Sequence, residues 1–201
     1  MMNALPLRQL ALPVLAMTIV VVASNVLVQY PFEPFGLGDY LTWGAFTYPV
    51  AFLVTDLTNR RYGASMARRL VVVGFVIAVA LSVGLATPRI AFASGTAFLV
   101  GQLLDITVFN RLRRQTWWRA PLIGSIIGSA LDTALFFSLA FAGDPDMSGP
   151  VDLFGTTVPL WQSLAIFDFS VKMLVALVAL LPYGALMSAI LPMEQAEKVA
   201  V

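Results

Sequence analysis

Four acids stand inside or at the edge of runs otherwise apolar enough for lipid: Asp56, Asp105, Asp132 and Asp168. Lys172 follows Asp168 by one helical turn. A charge at a bilayer centre costs at least about 2.5 kcal/mol, so such side chains face a bundle interior and mark a pathway or a binding site. The chemistry on offer is recognition. A carboxylate accepts two parallel N–H bonds from a planar, amidine-like edge, as it does from arginine. Lysine or glutamine can donate to a ring carbonyl, and phenyl rings can cover a flat ring system. A guanine-type ring presents these features at N1, the 2-amino group and its carbonyl. Other small polar or cationic solutes fit the same groups equally well.

Helical spacing sorts the candidates. Ser94, Gln102 and Asp105 lie on or near one stripe, with Gln102 and Asp105 as i, i+3 neighbours. Ser125, Ser129 and Asp132 fall at i, i+4, i+7 and share one face. Asn25 and Gln29 lie near the outer end of the first apolar segment, and Phe136 follows Asp132 by four residues. Phe169 adjoins Asp168. Asp132 and Lys172 are predicted near mid-membrane, Asp168 a turn further out, and Asp105 and Asp56 toward the cytoplasmic ends. The expected ligand contacts are Asp132 and Lys172, supported by Asp168, Gln102, Asp105, Ser129, Asn25 and Phe136. Each has a blander reading. Asp56 most simply neutralises Arg60 one turn later, near a helix end. Asp168 and Lys172 can form an internal salt bridge that lets both survive burial. Asp132 can be a buried acid held by serine or backbone. Gly124 and Gly128 make a small-residue surface on which Ser125 and Ser129 serve close packing.

The elements that must position these groups are membrane spans. Hydrophobic residues make up 59% of the 201 residues and charged residues 11%, against about 25% charged in a soluble domain. A span needs about 20 apolar residues. Six segments are predicted, at 9–29, 41–58, 68–86, 90–110, 120–142 and 162–190, forming a single all-α transmembrane domain over 1–201. The last is too long for a perpendicular span, so it tilts or is kinked by Pro182. Ten of the basic residues at or beyond the ends of the spans fall on one side and only Arg89 on the other. The positive-inside rule then puts both termini in the cytoplasm. The 143–160 stretch reads as an irregular outer loop, from its Gly and Pro content. Trp117, Trp118 and Trp161 fall where a headgroup belt is expected.

Several classes drop out. There is no cysteine and no histidine, which removes disulfides, thiol chemistry and most zinc and haem sites. No catalytic residue, metal ligand or cofactor is predicted. A net charge of +1 says nothing of nucleic acid, and none is expected as a partner. No basic n-region with a cleavage site is visible, so no removed signal peptide is expected. Without a Walker-type loop, any ATP-driven step would need another chain. One internal echo exists: Gly101-Gln102-Leu103-Leu104-Asp105 and Gly128-Ser129-Ala130-Leu131-Asp132 share a spacing, each followed by a Phe. It could be an inverted repeat, although chance likeness between apolar helices is the simpler account.

Longer motifs carry a resemblance. Phe46-Thr47-Tyr48-Pro49, with Asp56-Leu57-Thr58-Asn59-Arg60-Arg61-Tyr62-Gly63, resembles a signature of the queuosine precursor transporter family, also called the VUT family. Gly101 to Asp105, continued by Val108-Phe109-Asn110-Arg111-Leu112-Arg113, is similar too. Trp117-Trp118, Ser129 to Phe137, Asp168 to Lys172 and Leu181-Pro182-Tyr183-Gly184 extend the likeness over residues 8–190. The resemblance implies a six-helix inner-membrane importer of 7-cyano-7-deazaguanine or its 7-aminomethyl form. It also implies a fold like the substrate-binding subunits of energy-coupling-factor transporters. Those subunits couple through small residues four apart in helix 1, a spacing that Ala11, Ala16 and Ala23 do not make. A stand-alone carrier is therefore expected. The alternatives are a vitamin-type subunit working with an ATPase, an intramembrane enzyme, for which no nucleophile–base pair is visible, and an assembly protein. Expected partners are the deazaguanine and membrane lipid, with a homodimer left open.

Overall fold

The computed structural model describes residues 7–187 and residue 190. Its helices are α1 (Leu7–Leu27), α2 (Gly44–Thr47), α3 (Val50–Tyr62), α4 (Ala64–Leu85), α5 (Pro88–Leu112), α6 (Arg119–Phe141) and α7 (Leu160–Leu186). A single turn of 3-10 helix spans Pro34–Gly36, and two short strands, β1 (Pro150–Leu153) and β2 (Thr156–Pro159), complete the described elements. Four helices, α4 to α7, are long and apolar enough to cross a membrane, and α1 contributes a shorter apolar stretch, Ala11–Leu27. The protein is an all-α membrane protein. Extension of the last segment to 190 and the basic residue Lys198 fall outside residues 7–187.

Local chemistry sets the ends. Thr87 caps α5 by accepting from the Ile90 N–H at 3.4 Å, and Pro88 takes the first helical position, where no N–H is needed. Gly63 stops α3 by taking φ 85°, a conformation that disfavours side chains, and α4 starts at the next residue.

The segment expected as one helix over 41–58 is instead broken. It starts at Gly44, is interrupted at Tyr48-Pro49, and continues to Tyr62. Pro49 has no N–H to offer the Ala45 carbonyl, so the ladder loses a bond there. The backbone tightens across the gap, with Ala51 N–H bonded to the Tyr48 carbonyl at 3.1 Å and Phe52 N–H to that of Pro49 at 3.1 Å. The expected irregular loop at 143–160 also needs correction. It holds an antiparallel hairpin, β1 against β2, with Val151 opposite Val158. Phe154 and Gly155 both take positive φ, 53° and 83°, as a two-residue hairpin turn requires.

The core joins α1, α3, α4 and α5 through Met17, Val21, Ala51, Leu70, Phe98 and Ile106. Outward faces carry exposed Leu12, Ile19, Val83, Phe92, Leu174 and Leu181, the arrangement expected where the solvent is lipid. Among the described helices, α5 and α6 pack over the longest stretch. Gly101 and Gly128 face each other there, so that a Cβ on Gly101 would lie 3.1 Å from the Gly128 carbonyl oxygen. At the far end of the same pair, Arg89 donates to the Leu139 carbonyl at 2.9 Å and the Ala142 carbonyl at 2.6 Å. Arg89, in the first turn of α5, thus closes open C-terminal carbonyls of α6.

Candidate functional site

A cavity of about 880 Å³ occupies one end of the bundle, a volume in the range of small-molecule sites. Its walls are the C-terminal ends of α1 and α4, the 38–45 segment, the start of α5, the second half of α6 and the first half of α7. Asp132, Asp168 and Lys172 line it together.

Lys172 is 4% exposed and commits all three of its donors. Its Nζ lies 2.7 Å from Asp132 Oδ2, 2.6 Å from Asp168 Oδ2 and 2.9 Å from Thr133 Oγ1. Thr133 in turn donates to Asp168 Oδ2 at 2.9 Å. Tyr48 donates its hydroxyl to Asp132 Oδ1 at 3.1 Å, and its ring centre stands 5.5 Å from the Lys172 nitrogen. Both Asp132 oxygens are therefore engaged. Asp168 differs: its side chain is 17% exposed, and the bonds described engage only Oδ2. Two carboxylates around one ammonium leave a net negative charge. Its available acceptor is Asp168 Oδ1. The arrangement can hold a solute that offers N–H donors or a positive charge.

Aromatic groups cover the apolar wall. Phe136, Phe137 and Phe141 all line the cavity, with Phe136 edge-on to Phe137 at 5.1 Å. Tyr40, also on the wall, lies 4.7 Å from Phe167, ring centre to ring centre. Asn25 lines the cavity with its amide already in use: Nδ2 donates to Val21 O at 2.9 Å, and Oδ1 accepts from Ser82 at 3.0 Å. Among the described residues, no three acidic, histidine or cysteine side chains group as a metal site would need.

The structure thus gathers Asp132, Lys172, Asp168, Asn25 and Phe136 around one space. It places the other candidates elsewhere. Ser129 is buried one turn from Asp132 and does not line the cavity. Gln102 and Asp105 are fully buried off the cavity, and Asp105 meets Asp56. The expected local pair of Asp56 with Arg60 is not formed. Arg60 instead sets its guanidinium 6.0 Å from the Tyr183 ring centre, while Asp56 turns inward with 1% exposure. α3 packs against α5 and α7, and a carboxyl turned toward them escapes lipid more completely than one at the helix surface. Tyr48 and Thr133 are site residues that spacing does not single out. Tyr48 could have been found from its place before Pro49, where a helix break re-aims a side chain. Thr133 lies about 100° round the helix from Asp132, off the stripe that draws attention to the acid.

Residues 42–87 and 82–187 match the family model described as "Putative vitamin uptake transporter". The chain is 37% identical over 195 residues to the "Queuosine precursor transporter" of Escherichia coli, covering 86% of this chain and 84% of that one. It is 36% identical to the "Probable queuosine precursor transporter" of Haemophilus influenzae, over 86% of this chain and 83% of the other. A Bacillus subtilis protein with the same description is 27% identical, over 87% and 82%. No solved structure matches the chain.

Proposed function

The chain belongs to the vitamin uptake transporter family, and on that premise we propose that it imports queuosine precursors, 7-cyano-7-deazaguanine or its 7-aminomethyl form, across the bacterial inner membrane. It crosses that membrane six times, with α2 and α3 together serving as the second span and both termini in the cytoplasm. In that orientation the cavity opens on the outer face, where an importer first meets its solute.

One observation carries the substrate assignment: an acceptor centre built on Lys172 lies on the wall of an aromatic-sided cavity. Asp168 Oδ1 accepts from the N1 and 2-amino edge of the base. The base's carbonyl reaches Lys172 by displacing the Thr133 hydroxyl, the one neutral partner among its three. Phe136 and Phe137 cover a ring face. Asp132 holds Lys172 and Tyr48 in place. Gln102 and Asp105 lie too deep to touch a ligand in this cavity.

The test is a cell that lacks both queuosine synthesis and its own importer, fed low precursor. Expression of this chain should restore queuosine in tRNA. Restoration no better than empty vector, with membrane insertion verified, removes the proposal. Thermal stabilisation of the purified protein by a flavin or thiamine, but not by a deazaguanine, would instead favour a vitamin-binding subunit.

A further inference from the structure

A second polar cluster lies away from the cavity, among α3, α5, α6 and α7. Asp56 and Asp105 are 1% and 0% exposed and neighbour each other, and Asp56 Oδ1 and both Asp105 oxygens have no hydrogen-bond partner among the described residues. Two carboxylates supply acceptors and no donor. Side by side in a buried site, the two are tolerated only when one carries a proton. Both ion pairs of the outer site belong to Lys172 and do not extend here.

The surroundings point to the same ligand. Gln102, one turn before Asp105, is completely buried, and neither end of its amide has a partner among the described residues. The same holds for Asn59, one turn after Asp56. An amide open at both ends suits groups that donate and accept at once. Water does this and a metal cation does not. Beside Asp56, a void of about 10 Å³ is bounded by Ser125 and Tyr183, which is room for one water with several polar partners. The charged and titratable groups around the pair are Arg60 on α3 and Tyr183 on α7, with Arg113, just past α5, near Tyr183. From α6 the pair meets neutral groups, Gly124, Ser125 and Gly128.

We propose that Asp56 and Asp105 share one proton and form the proton-coupling site of the carrier. This rests on the reading of the chain as an importer. In the release step the O–H bond of one carboxyl breaks and its proton passes to water on the Ser125 and Tyr183 side. That leaves two adjacent negative charges, which a buried site cannot keep. Release therefore belongs to a state in which the inner end has opened to water. The outer site is mechanically close. The Cβ of Asp105 lies against Gly128, and that of Asp132 against Gly101, so any slide of α5 along α6 displaces both sites.

Two measurements test this. Infrared spectroscopy of the purified protein in lipid needs no substrate. The wild type should show the carbonyl stretch of a buried protonated carboxylic acid, and Asp56→Asn and Asp105→Asn should each lose it, while Asp168→Asn keeps it. In proteoliposomes, an inward gradient of about one pH unit should drive up to tenfold accumulation of 7-cyano-7-deazaguanine per proton carried. Asp105→Asn should exchange labelled for unlabelled solute yet accumulate none. A wild-type protein without the carboxylic band, or accumulation that follows sodium instead of pH, overturns the proposal. Accumulation by Asp105→Asn equal to wild type does the same. A band that behaves as expected in a protein that moves no deazaguanine would sustain the proton pair and reject the substrate instead.

Discussion

The Asp132 side chain fills the space in front of Gly101: a Cβ built on that glycine would stand 2.9 Å from the Cβ of Asp132. The relationship is reciprocal, because a Cβ on Gly128 would stand 3.0 Å from the Cβ of Asp105. α5 and α6 run antiparallel, so the two Gly-x-x-x-Asp stretches meet each other head to tail. The likeness that chance would explain in sequence is a matched contact in space. Each glycine makes room for the other helix's acid.

Gly101→Ala and Gly128→Ala should each destabilise the protein by about 1–3 kcal/mol, the usual effect of overpacking a tight contact. Thermal unfolding in detergent measures it. Gly84, whose Cβ would meet nothing within 4 Å, is the control, and Gly84→Ala should unfold within a degree or so of wild type on this account. Equal stability of all three variants would mean that the helices part easily at this crossing.

Asp168→Asn should weaken deazaguanine binding roughly ten- to a hundredfold, since a hydrogen bond to a charged group contributes about 1.5–3 kcal/mol. Its effect on folding should be small, because Lys172 keeps Asp132. Lys172→Met should instead lower stability by about 3–5 kcal/mol by leaving two carboxylates without their cation. Calorimetric binding and unfolding on the same preparations separate the two roles. Equal loss of stability in both would show Asp168 to be structural.

Tyr48→Phe keeps the ring beside Lys172 and removes the hydroxyl from Asp132. Its loss should be about 1.5–3 kcal/mol of stability or binding. Tyr48→Leu should lose a further ~0.5–2 kcal/mol, the contribution of a cation over a ring. If the two variants behave alike, the ring contributes nothing.

Reporter fusions settle the topology. A reporter placed at residue 150, at the start of the hairpin, should read as external, and one at the C-terminus as cytoplasmic. A cytoplasmic signal from the hairpin would invert the proposed orientation and put the cavity on the inner face.

Long apolar runs and isolated charges were legible because lipid leaves a charged side chain few options. Depth along the predicted spans set Asp132 level with Lys172, and one-turn spacing set Asp168 beside Lys172; the cavity is where all three meet. What spacing could not supply was which acid faces which helix. Asp56 and Arg60 suit a local pair as one helix sees them, and only α5 and α7 reveal that Asp56 turns to Asp105 and Arg60 to Tyr183. The hairpin was hidden because its turn is Phe154-Gly155 instead of the usual Asn-Gly, and because Pro150 and Pro159 flank it.

The absent N–H at Pro49 makes residues 44–62 two short rods on one rail. The first rod, α2, borders the cavity with Gly44 and Ala45, and the second, α3, carries Asp56. Bending concentrates where a ladder bond is lacking. Any tilt of the first rod is thus absorbed at the joint and hardly reaches Asp56. This segment acts as a shock absorber, which leaves the α5–α6 crossing as the stiff linkage between the two ends of the protein.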